Sequence, residues 1–448
     1  MTGDQLNRRD FVKTSSIAAA GLGVGLGAMG GFVPSVWGAA AADDRIKVGL
    51  VGCGGRGSGA IRQALDADKG AVLWAIADMF PDKVDACLKG LRDPSEQPDG
   101  STAASPYASR IDPGIKDRSF TGFGCAEQLI GSGVDVVLLA TPPHFRPMHL
   151  DAAVKAKKHV FCEKPMAVDA TGVRSVIESA KLAKDQGTSL MSGFCWRYSL
   201  PERAIYGKIT SGELGRVRAA HSTYHTSPIW IRKRQPEWTE MQFQVRNWPH
   251  FLWLGGDHIV EQACHSIDKI NWAMGNRPPI RVTTLGGRAM REGEEYGNAY
   301  DHFAVIYEYE DGARAFLTTR QEHHHSNENK DWVACENGTC FINGWAPQET
   351  RVEGPKPWKY EGPTPDMYQT EHNELFRAIR AGTPVNDGHF MAQSTLMAIA
   401  GREACYSGQT LTWQQMLDSK QHLVPTAYGM DVAPPPPEIP MPGKYKFV

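Results

Sequence analysis

The sequence predicts an α/β chain with two folded domains: a parallel, doubly wound sheet first, then an α/β domain built on an open, largely antiparallel sheet. Three observations carry that prediction. Residues 46–51 form a short apolar strand that runs into a glycine-rich loop and a helix, and the next strand, 72–77, ends on an acid, Asp78. Continuous apolar runs at 134–139 and 159–162 match strands buried on both faces, as parallel sheets require. Beyond residue 166, strands at 217–224, 303–309 and 313–319 recur in antiparallel-looking pairs, with Asp311-Gly312 as a hairpin turn.

The chain ahead of the first strand reads as an address label. Asn7-Arg8-Arg9-Asp10-Phe11-Val12-Lys13 is a charged start, 17–36 is uncharged and rich in Gly and Ala, and Ala40-Ala41-Ala42 offers small residues for cleavage. The glycines and Pro34 fit a signal better than a membrane anchor. Residues 1–42 are therefore expected to be a twin-arginine signal peptide, with the mature protein periplasmic or otherwise exported by that route and not stably inserted in the membrane. That route carries proteins already folded.

Composition bounds the rest. With 41% hydrophobic and 22% charged residues, the mature chain is expected to be globular and long enough for two cores. A net charge of −2 leaves no basic field for nucleic acid, so the expected partner is a small molecule. Of nine cysteines, Cys53, Cys162, Cys195 and Cys264 lie in apolar or glycine-rich runs without metal-ligand spacing and read as buried thiols. Cys335 and Cys340 are near enough to pair in an oxidising compartment, although folding in a reducing one argues against it.

The elements then follow in order. The loop Gly52-Cys53-Gly54-Gly55-Arg56-Gly57 leads into a helix over 58–67, and Asp78 lies about 26 residues beyond Gly52, the arrangement of a Rossmann dinucleotide unit. Gly52, Gly54 and Gly57 permit the tight turn, the approach of a pyrophosphate and close helix packing; Asp78 would bind the adenine ribose and favour NAD over NADP. A Pro/Ser/Asp-rich insertion fills 93–117. Thr141-Pro142-Pro143-His144 follows the third strand, at the ligand edge of such a sheet, and is expected to line the nicotinamide end. Glu163-Lys164-Pro165 ends the next strand at the same edge, and there Lys164, with a lowered pKa, would orient and help deprotonate a substrate hydroxyl. The domain is expected to span 43–165.

The second domain, 166–432, opens with a helix and carries further helices at 371–381 and 392–406; an extended Pro-rich tail occupies 433–448. At 100° per residue, Glu261, His265, Asp268 and Trp272 share one helix face, with His258 one turn earlier. His265 is the natural acid/base and Glu261 its partner. His258, Glu261 and His265 can also be read as metal ligands, but without a His-Glu-x-x-His pattern no metal is expected. Arg197-Tyr198, Trp248 within Arg246-Asn247-Trp248, His258 and Asp268 are candidate substrate contacts, and the His323-His324-His325 run is either a cleft residue set or a surface loop.

The strand and glycine loop, the Glu163-Lys164-Pro165 motif, and the glycine pair Gly255-Gly256 followed by acid-x-x-x-His together resemble the Gfo/Idh/MocA oxidoreductases, across essentially the whole mature chain. The resemblance implies that Lys164 and His265 carry chemistry on a hydroxyl of a sugar or cyclitol with NAD as cofactor, and that the chain assembles into dimers or tetramers. The family usually places Asp where this chain has Glu261. It also implies two reaction types: net dehydrogenation, or a redox-neutral glycosidase or lyase cycle that oxidises a ring hydroxyl transiently, eliminates, and returns the hydride.

Overall fold

Strand β1 (Ile46–Val51) feeds helix α1 (Gly55–Ala67), and β2 (Ala71–Asp78) returns parallel beside it, in the first βαβ unit of a parallel sheet. The computed structural model describes residues 44–96 and 101–448; the expected signal peptide lies outside the described residues. After α2 (Pro81–Arg92) come β3 (Ser119–Thr121), α3 (Cys125–Ile130), β4 (Val136–Leu139), α4 (Arg146–Lys155), β5 (His159–Cys162), α5 (Ala170–Gln186) and β6 (Leu190–Ser192). The strands lie in the order β3-β2-β1-β4-β5-β6, every pair parallel, which is the classic doubly wound order with its switch point between β1 and β4. The sheet thus runs on past Pro165, where the sequence reading closed the domain: β6 is only three residues long and carries no turn signal of its own.

Helix α6 (Leu200–Thr210) leads into a nine-stranded sheet. Its strands are β7 (Val217–Thr226), β8 (Arg281–Gly287), β9 (His302–Glu308), β10 (Arg314–Gln321), β11 (Lys330–Cys335), β12 (Gly338–Asn343), β13 (Arg351–Glu353), β14 (Trp358–Lys359) and β15 (Leu411–Thr412), ordered β14-β13-β12-β11-β7-β10-β9-β8-β15. All neighbours are antiparallel except β7 and β10, which run parallel. The hairpin from β9 to β10 turns at Gly312, whose φ of +82° suits glycine. All nine cysteines are free.

The remaining helices cover both sheets. Helix α7 (Glu240–Arg246) precedes α8 (Cys264–Ala273), which packs between β7 and α10 (Gly388–Ser407), and α9 (Met367–Ala381) returns to the first domain, where Leu375 and Phe376 join the core formed by β1, β2 and α1. Sequence patterning assigned α9 to the second domain because a hydrophobic stripe does not say which sheet it meets. No helix among the described residues is long and apolar enough to cross a membrane.

Candidate active site

The glycine loop explains its own composition. A Cβ on Gly52 would lie 2.6 Å from the Ala140 carbonyl carbon, and one on Gly57 only 1.8 Å from the Gly52 oxygen, so both must be glycine for strand and helix to pack. At Gly54 and Gly55 a Cβ would meet nothing within 4 Å. Helix α1 therefore begins in open space, with Gly54 at its cap, no side chain bonded to its first amides and no acid in its first turn. Free amides at a helix N-terminus with room in front of them fit a dinucleotide pyrophosphate. The Arg56 guanidinium turns away from that space: it pairs with Glu163 and Glu371 and lies 4.8 Å from the Tyr368 ring, so the backbone of Arg56 faces the phosphate position while its side chain braces the loop.

Asp78 closes the ribose end. Its two oxygens accept from Cys53 N at 2.7 Å and Phe80 N at 3.0 Å, which fixes the carboxylate beside the glycine loop. Thr141 is held to His149 (3.3 Å), and the turn Pro143–Phe145 carries His144, which is buried and bonded through Nε2 to the Tyr428 hydroxyl at 2.8 Å. Burial pulls the His144 imidazole down to about 3 and keeps it neutral.

Glu163 is 3% exposed, wedged against Gly193, where a Cβ would meet its carboxylate at 2.6 Å. Lys164 follows it into the cleft. Its Nζ donates to the Glu261 carbonyl at 2.5 Å and lies 3.4 Å from the Glu261 carboxylate. That carbonyl is available because the expected single helix is broken: a turn spans His258–Glu261, the chain kinks at Gln262 and Ala263, and α8 starts at Cys264. The His265 amide bonds Gln262 O instead of Glu261 O, freeing the latter for the ammonium. Burial disfavours the charge on Lys164, but Glu261, with Cys264, Tyr224 and Glu163 behind it, outweighs burial and holds the ammonium above the ordinary lysine range. The lowered pKa expected of Lys164 is thus corrected to a raised one.

His265 faces the same point, with its ring 4.5 Å from Trp196 and 6.1 Å from Phe194, both edge-on. Its Nδ1 is buried without a partner. Burial, then Lys164 and Lys269, push the imidazole far below its usual value, so it is neutral. Tyr224, the residue at which the sequence reading ended β7, is drawn into the same electrostatic neighbourhood by Lys164 and Glu261; burial lifts its phenol above the ordinary range. Tyr224, Trp196 and Lys269 escaped sequence reasoning. Tyr224 alone carried a usable signal, its place at a strand end.

Other expected contacts are spent inside the protein. Arg197 grips Asp268 with two bonds of 2.8 Å between Trp272 and Phe390, and Asp268 also accepts from Ser394. Both are nearly buried, so neither offers a free polar group to a sugar; Trp272 stacks on Tyr206 at 4.4 Å. The Tyr198 hydroxyl is bonded to Asp387 at 2.7 Å. His258 is buried; its Nδ1 is bonded to the Tyr300 carbonyl (3.1 Å) and lies beside Asp257, while its Nε2 is buried without a partner. Trp248 is half-buried against Trp230. His323, His324 and His325 are exposed, on a surface loop. Among the described residues, Asp301, His302 and Glu322 are the group with metal-ligand proximity, but Asp301 is occupied by the amides of Ala289, Met290 and Arg291.

An uncapped glycine loop, a ribose-side acid and a lysine–histidine pair at one sheet edge define the class: a nicotinamide-dependent oxidoreductase. Residues 46–194 match the model of the Gfo/Idh/MocA oxidoreductase family with its NAD-binding Rossmann fold, and 203–341 match that family's C-terminal domain; the chain belongs to this family. Over 348 residues, 76% of this chain and 87% of the other, it is 26% identical to an inositol 2-dehydrogenase of Acidothermus cellulolyticus. It is 27% identical over 185 residues to a 2,7-anhydro-N-acetylneuraminate hydratase of Escherichia coli, covering 41% of this chain and only 45% of that relative. In fold it resembles levoglucosan dehydrogenase in complex with NADH and levoglucosan (TM-score 0.63, 18% identity, 82% of this chain and 99% of that one). Aldose-aldose oxidoreductase of Caulobacter crescentus is similar in the same sense (TM-score 0.62, 18% identity, 82% and 99%).

Proposed function

We propose that the protein oxidises a hydroxyl of a sugar, glycoside or cyclitol, exported by the twin-arginine route with NAD already bound. The observation that carries this reading is the convergence of Lys164, Glu261 and His265 at the carboxyl edge of the parallel sheet. Bound NAD supplies reversible acceptance of hydride from the carbinol carbon. The chain's own part is to place and deprotonate the hydroxyl. Lys164, held as an ammonium by Glu261, donates to the hydroxyl oxygen; neutral His265 receives its proton. A proton taken up beside two ammonium groups is passed on rather than kept, which suits a group that must be neutral again for the next cycle. Arg8-Arg9 ahead of a long uncharged run supports the export assignment, and Leu285, 76% exposed on β8, supports association with a second copy through the open sheet face.

The redox-neutral reading draws support from the hydratase relative, whose named activity is not a net oxidation. A panel of free sugars, cyclitols and aryl glycosides, followed for reduced cofactor and released phenol together, separates the two. Stoichiometric reduction selects the dehydrogenase; phenol without net reduction selects the hydrolytic or lytic cycle; neither signal from any carbohydrate overturns both.

A further inference from the structure

Three connections leave the carboxyl ends of the strands across which a dinucleotide lies in this fold: after β2 (Phe80, and Asp82 in the first turn of α2), after β3 (Phe123) and after β4 (His144 and Phe145). All three are covered by chain from far along the sequence. Arg246, at the end of α7, grips Asp82 with two bonds of 2.7 and 3.1 Å, its guanidinium 3.8 Å from the Phe80 ring. Tyr428 lies 5.6 Å from Phe123 and 6.1 Å from Phe145, and its hydroxyl meets His144. The two covering segments are pinned to each other by Thr239, which donates to the Met430 carbonyl at 2.6 Å. Phe80 and Phe145 share a buried apolar cluster with Phe243, Phe251 and Trp253, separate from the cores of the two sheets.

We propose that residues 238–255 and 422–432 form a strap over the cofactor edge that makes NAD a resident group, retained from turnover to turnover. A cofactor lying from Asp78 to His144 passes beneath contacts made on both sides of it, so its departure requires the strap to lift. The Arg246–Asp82 pair is partly solvated and weak alone; Tyr428 closes the His144 end, the aromatic cluster joins Phe80 to Phe145, and the Thr239–Met430 bond ties the two segments together. The inference deepens the retained-cofactor reading and rests on the NAD site itself.

The test uses the full chain loaded with NADH and mixed with excess NAD, with nicotinamide fluorescence reporting release. The Arg246→Ala/Tyr428→Ala double variant is expected to release NADH at least about tenfold faster than wild type, with Tyr428→Phe intermediate because it loses only the bond to His144. If the double variant fails to fold, Tyr428→Phe decides the matter by itself. Release within about twofold of wild type for the variants that fold overturns the strap; failure of the wild type to bind NADH at all overturns the cofactor site and is seen before any variant is compared.

Discussion

Lys164 Nζ is held at 2.5 Å by the backbone carbonyl of Glu261 and at 3.4 Å by its carboxylate, so one residue supplies both a fixed dipole and a charge to the same ammonium. The carbonyl is free because the helix breaks at the next residue; the charge is what raises the proton affinity of Lys164. Glu261→Gln keeps the carbonyl and removes the charge. The Lys164 pKa then falls, and since the ammonium is the working form, the alkaline limb of the kcat/KM profile is expected to move to lower pH, with little change at neutral pH. Lys164→Met should lower kcat by about 100-fold or more while NADH binding persists. An unmoved alkaline limb in Glu261→Gln would show that the carboxylate does not control Lys164.

The two ends of the glycine loop should fail differently. At Gly57 an added Cβ meets backbone oxygen at 1.8 Å, and strand and helix must separate; Gly57→Ala is expected to cost at least about 2 kcal/mol in a denaturant titration. At Gly54 the methyl enters open space, so stability should stay within about 0.5 kcal/mol. That space is where the pyrophosphate fits, and NADH affinity should drop by about tenfold or more. Equal loss of affinity and stability in both variants would place the cofactor elsewhere.

Much of this site was legible because its signals are local. A strand, a glycine loop and an acid at the next strand end need only about 30 residues of sequence, and Glu163-Lys164-Pro165 sits where a buried strand stops. What was not legible depends on contacts between distant segments or on small backbone departures. Gln262 and Ala263 are ordinary helix formers, so nothing in the pattern announces the break that frees the Glu261 carbonyl. Arg197 and Asp268, separated by 71 residues, each look like a polar group awaiting a ligand until the fold closes them on each other.

That ion pair gives a third expectation. Arg197→Ala leaves Asp268 buried with its charge unmatched, which costs about 3–5 kcal/mol. A sugar contact would instead raise KM in a protein of unchanged stability. Replacing both partners together, Arg197→Met with Asp268→Leu, should recover part of the loss, because no isolated charge then remains. Unchanged stability in Arg197→Ala, with a raised KM, would restore the residue to the substrate site.

Glu202 sets a pH dependence of the fold itself. It is completely buried on α6, with neither carboxyl oxygen bonded, and burial pushes its pKa up to about 8; Lys269 opposes the shift while Asp331 and Asp268 add to it. The folded protein therefore keeps a proton that the unfolded chain gives up near 4.5. This contribution is fully present below about pH 4.5 and is lost progressively as the pH rises through about 8. Glu202→Gln removes the titration while keeping the shape. Relative to wild type, the variant should gain stability between those two values, by on the order of a few kcal/mol at the upper end, and show no pH-dependent gain below the lower one. Denaturant titrations across that range measure it directly: a wild-type-minus-variant difference that stays flat would mean that Glu202 is ionised in the folded protein and paired with Lys269.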